Sequence, residues 1–174
     1  MLKKVSNPMS MSYQSLKQTV LSKDFPWNYA EETTPGKELE GHENIPGYSH
    51  AFLIAPGNNM FKYSAPNSPL LEKCLQAFRD ILLANDIAPK LFLRAAANAV
   101  HSTEKGLPSV PHLDHDEIPH MNIIIYLTPT NGGYIACDGK TYVPEEDDVL
   151  IFSGEHYLLP PTKGRRVCLV GTFL

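Results

Sequence analysis

The chain has 174 residues, of which 43% are hydrophobic and 20% charged, which suits one ordinary domain with a real core and excludes a disordered or fibrous chain. A net charge of −4 provides no global basic field to recruit nucleic acid, which is not expected as a partner. No apolar run reaches the roughly 18 residues of a membrane span, and no signal peptide is expected because no apolar stretch follows Lys3 and Lys4.

Residues 1–11 read as a loose arm, and Leu16, Val20 and Leu21 predict a short helix over Ser12–Ser22. Pro26, inside the aromatic run Phe25-Pro26-Trp27-Asn28-Tyr29, points to an edge strand or extended segment. The Glu-, Pro- and Gly-rich stretch 31–47 is loop chemistry, read as a plain surface loop with a mobile flap as the alternative. His50–Ile54 reads as a strand ending in the Pro56-Gly57-Asn58-Asn59 turn. Ser68 and Pro69 start the strongest helix, in which Leu70, Leu71, Cys74, Leu75, Phe78, Ile81 and Leu82 form one apolar face meant for a sheet.

Beyond Leu91 the pattern is strands only: 91–101, 110–115, 120–128, 133–137, 140–143, 147–152, 156–159 and 165–173, separated by Gly, Pro and Asn turns such as Asn131-Gly132-Gly133. The expected fold is mostly β with flanking helices, a sandwich or a jelly-roll (cupin-like) barrel. It is a single domain over 1–174, with residues 1–90 giving arm, helices and outer strands and 91–174 the core. The acidic run Glu145-Glu146-Asp147-Asp148 reads as a solvated turn. Three widely spaced cysteines, Cys74, Cys137 and Cys168, suit neither a disulfide framework nor a zinc knuckle and favour a reducing, cytoplasmic setting.

Chemistry concentrates in Pro111-His112-Leu113-Asp114-His115. On an extended strand, residues two apart share a face, which would set the His112 imidazole beside the Asp114 carboxylate. A second histidine would complete the facial set of two histidines and one carboxylate that leaves positions open on an Fe(II) ion. His156, after the apolar strand Val149-Leu150-Ile151-Phe152, is the favoured third ligand, with His115 and His120 as rivals. Strand alternation puts Arg166, Cys168 and Val170 on one face, and an arginine facing a barrel interior needs an anion, for which a carboxylate is the best match. Arg165 would take that place if the register slipped by one. Tyr126, the polar tip of Asn122–Thr128, could reach the same anion, while Asn98 either binds a ligand or satisfies a strand edge.

The order HxD, His, Arg resembles the 2-oxoglutarate- and Fe(II)-dependent dioxygenases, most of all the prolyl-4-hydroxylase-like branch with its small phage and marine bacterial members. The resemblance covers residues 91–174 and extends weakly to Phe25–Tyr29. It rests on Leu93–Asn98, Val110–Asp114, Ile124–Pro129 with Gly132-Gly133, Phe152 with His156, and Arg166–Leu169. Thr128 stands where the family usually has Asn, and Cys168 where it has Ser, which removes a hydroxyl donor beside the co-substrate.

The resemblance implies a double-stranded β-helix with Fe(II) held by His112, Asp114 and His156. It implies 2-oxoglutarate held by Arg166 with Tyr126, Cys168 and Asn98 nearby, and O₂ as the oxidant, with ascorbate as a supporting reductant. Succinate and CO₂ would be released as a C–H bond is hydroxylated, on a peptidyl (prolyl-like) or other substrate, so a protein or peptide partner is the family-level expectation. The rival reading is a non-catalytic cupin-like binding or structural module, for which a carboxylate anchor inside the barrel has no purpose. Substrate specificity is expected in the loops 31–47, 56–66 and 101–110, which carry no readable code, and oligomeric state is not legible.

Overall fold

The computed structural model describes residues 2–31, 38–57, 63–133 and 135–174. Two antiparallel sheets carry the fold. The larger contains β1 (Leu2–Val5), β2 (Asn28–Ala30), β3 (Gly47–Ile54), β4 (Ala65–Pro66), β5 (Phe92–His101), β6 (Met121–Tyr126), β9 (Val149–Phe152) and β11 (Arg165–Phe173). The smaller contains β7 (Ile135–Cys137), β8 (Lys140–Tyr142) and β10 (His156–Leu158), and the helices are α1 (Met11–Leu21) and α2 (Leu71–Leu83). The architecture is thus mostly β with two helices. The large sheet runs β1-β9-β6-β11-β5-β3-β2, with β4 paired to β3, and the small one runs β10-β7-β8. Asp138 and Gly139, at φ 50° and 69°, make the two-residue turn that joins β7 to β8 with the twist of a hairpin.

The centre of the large sheet is β11 between β5 and β6, and its alternation divides the molecule. Val167, Leu169, Gly171 and Phe173 face the helices beside Ala95, Ala97, Ala99, Ile123 and Ile125, in one apolar core with Phe78 and Ile81 of α2. Gly171 lets α2 approach: a Cβ there would lie 2.7 Å from Phe78 Cε2 and 3.1 Å from Ile123 Cγ2. Phe78 is fully buried, so its ring has nowhere to move. Gly171→Ala should therefore destabilise the fold by about 1–3 kcal/mol through overpacking, read by urea denaturation with an unchanged m-value.

Several elements differ from the sequence reading. Helix α2 begins at Leu71, because the Ser68 hydroxyl is shared between the Leu70 N–H (3.2 Å) and His50 Nε2 (2.8 Å). The N-terminal segment is not a loose arm, since Leu2–Val5 pairs with β9 in the register Leu2↔Phe152 to Val5↔Val149 and closes one sheet edge. Its two exposed lysines suit an edge strand. At the other edge lies β2, following Pro26 as expected.

The acidic run is a solvated turn only in part: Glu145 and Glu146 are exposed, while Asp147 and Asp148 are held by distant partners. Asp148 is buried and accepts from Lys4 (2.7 Å), the Tyr142 hydroxyl (2.8 Å) and the Glu145 N–H (3.1 Å). Asp147 accepts from Lys17 (2.6 Å) and from the Tyr13 hydroxyl. Burial pushes the Asp148 carboxyl up, but Lys4, the Glu145 N–H and the Tyr142 hydroxyl outweigh it and hold the pKa below its ordinary value. A depressed folded-state pKa stabilises the fold above the unfolded value of about 4 and is lost as pH falls through the folded value. Asp148→Asn should therefore be less stable than wild type at pH 7, with the difference shrinking below about pH 4, in denaturation curves taken across pH.

Among the described residues no helix is long and apolar enough to cross a membrane.

Candidate functional site

The other face of β5, β11 and β6 walls a cavity of about 650 Å³, closed on its far side by Ile135, His156 and Leu158 of the small sheet. Register sets its lining in rows. Cys168 lies between Asn98 and Tyr126, and Thr172 between Arg94 and Asn122. Arg166, Cys168, Tyr126, Asn98, His112, Asp114 and His156 all line this one cavity, so the candidate residues meet.

They do not meet in the way strand alternation predicts. Residues 110–115 form no regular strand. Pro111 has no N–H to give a ladder, and pairing is confined to His112 and His156. Each donates its backbone N–H to the other's carbonyl at 3.0 Å. That reciprocal pair places the two imidazoles side by side, with ring centroids 4.5 Å apart. Each Nδ1–H donates to a backbone carbonyl, His112 to Val110 (3.1 Å) and His156 to Gly154 (3.3 Å). This assigns the lone pair of both rings to Nε2, the state a metal ligand requires. Burial, chiefly, pushes His156 down to about 4, so it is neutral at physiological pH.

Asp114 Oδ2 lies 3.6 Å from His156 Nε2, while its Oδ1 accepts from Arg94 Nη1 at 2.5 Å. Burial raises the Asp114 carboxyl, but Arg94 and the histidines around it hold it below the ordinary carboxylate range. Two neutral imidazole nitrogens and one carboxylate suit a divalent transition ion in donor type. Among the described residues, however, no three His, Cys, Asp or Glu side chains already converge as a metal cage.

Arg166 is 3% exposed. Its Nη1 donates to the Leu159 carbonyl at 3.1 Å, its Nε is buried without a partner, and no carboxylate among the described residues pairs with it. Gly133 makes room for the guanidinium: a Cβ there would lie 3.2 Å from Nη1 and 2.8 Å from the Leu159 carbonyl oxygen. Arg165 is exposed, at the first position of β11 and of opposite parity to Arg166. Burial pushes the Tyr126 phenol and the Cys168 thiol up, each only partly offset by the Arg166 charge, so both stay neutral donors.

The rival histidines have other contacts. His115 Nε2 meets the Thr172 hydroxyl at 2.7 Å, and the His120 ring sits edge-on to it with centroids 4.7 Å apart. Neither lines the cavity. The sequence reading missed Arg94 and Asn122, although Arg94 shares strand parity with Asn98 and so its face. Asn122 is 2% exposed, with an Nδ2 that has no partner. Of the loops expected to carry specificity, residues 32–37 of the 31–47 loop and 58–62 of the 56–66 loop lie outside the described residues. The 101–110 loop is pinned: Glu43 Oε1 accepts from the Thr103 hydroxyl (2.5 Å) and the Leu107 N–H (3.0 Å).

No protein-family model matches the sequence and no curated protein matches it. Solved structures do. A 2OG-Fe(II) oxygenase family oxidoreductase from Burkholderia pseudomallei aligns with TM-score 0.64 at 14% identity, over 95% of this chain and 79% of that one. The chain has the fold of the 2-oxoglutarate/Fe(II) oxygenases. A Trichoplax adhaerens prolyl hydroxylase, solved with a hypoxia inducible factor oxygen degradation domain peptide fragment, aligns with TM-score 0.60 at 10% identity, over 99% and 83%. A Pseudomonas putida prolyl-4-hydroxylase aligns with TM-score 0.54 at 15% identity, over 99% and 91%. At these identities the likeness is one of fold, and what this cavity does rests on its own residues.

Proposed function

We propose that this chain is a 2-oxoglutarate- and Fe(II)-dependent oxygenase of the prolyl-4-hydroxylase-like branch, of the small phage and marine bacterial type. Its core, over 91–174 of a single domain, is read as a double-stranded β-helix. It hydroxylates a C–H bond of a peptidyl substrate, prolyl-like or otherwise, in a reducing compartment. The observation that carries this reading is Arg166: a buried guanidinium with an unused donor in the same cavity as His112, Asp114 and His156. An unpaired buried cation is costly unless an anion completes it, and a dicarboxylic keto acid brings one carboxylate for Arg166 and a second for a metal.

His112 and His156 through Nε2, with Asp114, would hold the iron. When bound, Fe(II) with O₂ supplies the oxidising chemistry that splits 2-oxoglutarate to succinate and CO₂ and hydroxylates the substrate. The chain does the rest. Arg166 fixes the distal carboxylate, the neutral Tyr126 hydroxyl offers it a second donor, and Asn98 and Cys168 shape the wall between. The peptide bound to the Trichoplax relative supports a peptide as substrate class here.

The rival, a non-catalytic cupin-like binder, draws on the Arg94–Asp114 pair, which leaves no ready-made cage. One assay separates the two: succinate released from 2-oxoglutarate with Fe(II), ascorbate and O₂ in the absence of prime substrate. Slow Fe(II)-dependent release supports the oxygenase. No release, together with no metal-dependent 2-oxoglutarate binding, supports the rival.

A further inference from the structure

We propose that Arg94 is a positioning residue that restricts Asp114 to a single ligating oxygen. The inference rests on the oxygenase reading above and concerns how this chain keeps room on its metal.

Asp114 follows the His112–His156 bridge on a segment with no ladder of its own, so backbone pairing does not dictate how its carboxylate turns. Arg94 does. It stands within β5, opposite Thr172 of β11 in register, and is therefore held by the central strand pair of the sheet. Its Nη1 holds Oδ1 at 2.5 Å, which leaves Oδ2 as the oxygen toward His156, 3.6 Å from Nε2.

Ligating carboxylates are commonly hydrogen-bonded by outer partners that orient them. Here the partner is a cation, and this adds a specific consequence. An octahedral ion with three single-point protein ligands keeps three open positions, enough for a chelating keto acid and for O₂. A carboxylate that chelates through both oxygens takes one of the three. By occupying Oδ1, Arg94 prevents that. It also sets a positive charge near the ion, so it weakens metal binding while keeping the position left for O₂ beside the bound keto acid.

The two effects have opposite signs, which makes them separable. Arg94→Met should bind Co(II) or Mn(II) as tightly as wild type or more tightly. Its Fe(II)- and 2-oxoglutarate-loaded form should lose binding of nitric oxide, a stand-in for O₂, because a doubly ligating Asp114 leaves no open position once the keto acid is bound. The Co(II) absorption spectrum before co-substrate should differ from that of wild type. Arg94→Lys, which keeps charge, reach and a donor, should restore most of the nitric oxide binding and keeps the test open if the Met variant does not fold.

Metal affinity and metal-dependent 2-oxoglutarate affinity are measured by calorimetry, and nitric oxide binding to the Fe(II)- and 2-oxoglutarate-loaded protein by its absorption, all under anaerobic conditions. Unchanged nitric oxide binding in Arg94→Met, or a fall in metal affinity, overturns the positioning role while leaving the oxygenase reading intact. Wild-type protein that shows no metal-dependent 2-oxoglutarate binding overturns both.

Discussion

Arg166→Met should remove metal-dependent 2-oxoglutarate binding, leave metal affinity within about threefold, and leave the ligand-free fold as stable as wild type or more stable. The three parts follow from one geometry. Truncating one partner of a buried, hydrogen-bonded charge pair costs about 2–5 kcal/mol, and each 1.4 kcal/mol is about tenfold in affinity. Loss of co-substrate binding should therefore be roughly thirtyfold or greater. Metal affinity should hold, because Arg166 lies six residues along β11 from Thr172, the residue that pairs with Arg94 beside the metal site.

The stability sign is the distinctive part. Replacing a large buried side chain usually destabilises a fold, but Arg166 without its anion is a desolvated charge with an unsatisfied Nε. Apolar replacement of buried charge is often neutral or stabilising by about 1–4 kcal/mol. Urea denaturation of the ligand-free proteins checks this directly. A large loss of stability in Arg166→Met would mean that the Leu159 carbonyl contact and the packing at Gly133 outweigh the unpaired charge.

His112→Ala and Asp114→Ala should each abolish stoichiometric Fe(II) binding at micromolar metal. The loss follows because a ligand itself is gone. The two variants should differ in apo stability. His112→Ala removes a ring whose Nδ1 serves only a local carbonyl. Asp114→Ala also strands Arg94, whose side chain is 32% exposed and so partly hydrated. An extra cost of about 1–3 kcal/mol is expected for leaving that charge without its partner, toward the low end because water reaches it. Asp114→Glu should fail as well, since one more methylene carries Oδ2's replacement past His156. Retained stoichiometric iron in both alanine variants would remove His112 and Asp114 from the ligand set.

What the sequence could disclose depended on how local its signals were. The apolar face of α2 and the alternation of β11 are periodic, and parity with Cys168, together with the family pattern, favoured Arg166 over Arg165. The pairing of His112 with Asp114 was found by the wrong route. A strand was assumed where Pro111 denies the ladder, and the two histidines meet through a two-residue bridge between segments 44 residues apart in number (156 − 112). The Leu2–Val5 strand is too short to show a period. The role of Asp147 and Asp148 depends on Lys4, Tyr13 and Lys17, more than a hundred residues away, and composition alone makes any acidic run look solvated. Arg94 was accessible by parity with Asn98. What hid it is that its anion is Asp114, a residue already assigned to the metal.

The most direct test of the central claim is a crystal structure grown anaerobically with Mn(II) and 2-oxoglutarate. The account predicts one metal bound by His112 Nε2, one oxygen of Asp114 and His156 Nε2, with the distal carboxylate of 2-oxoglutarate against Arg166. A metal held elsewhere, or an Arg166 guanidinium that touches no carboxylate of the bound acid, would contradict it.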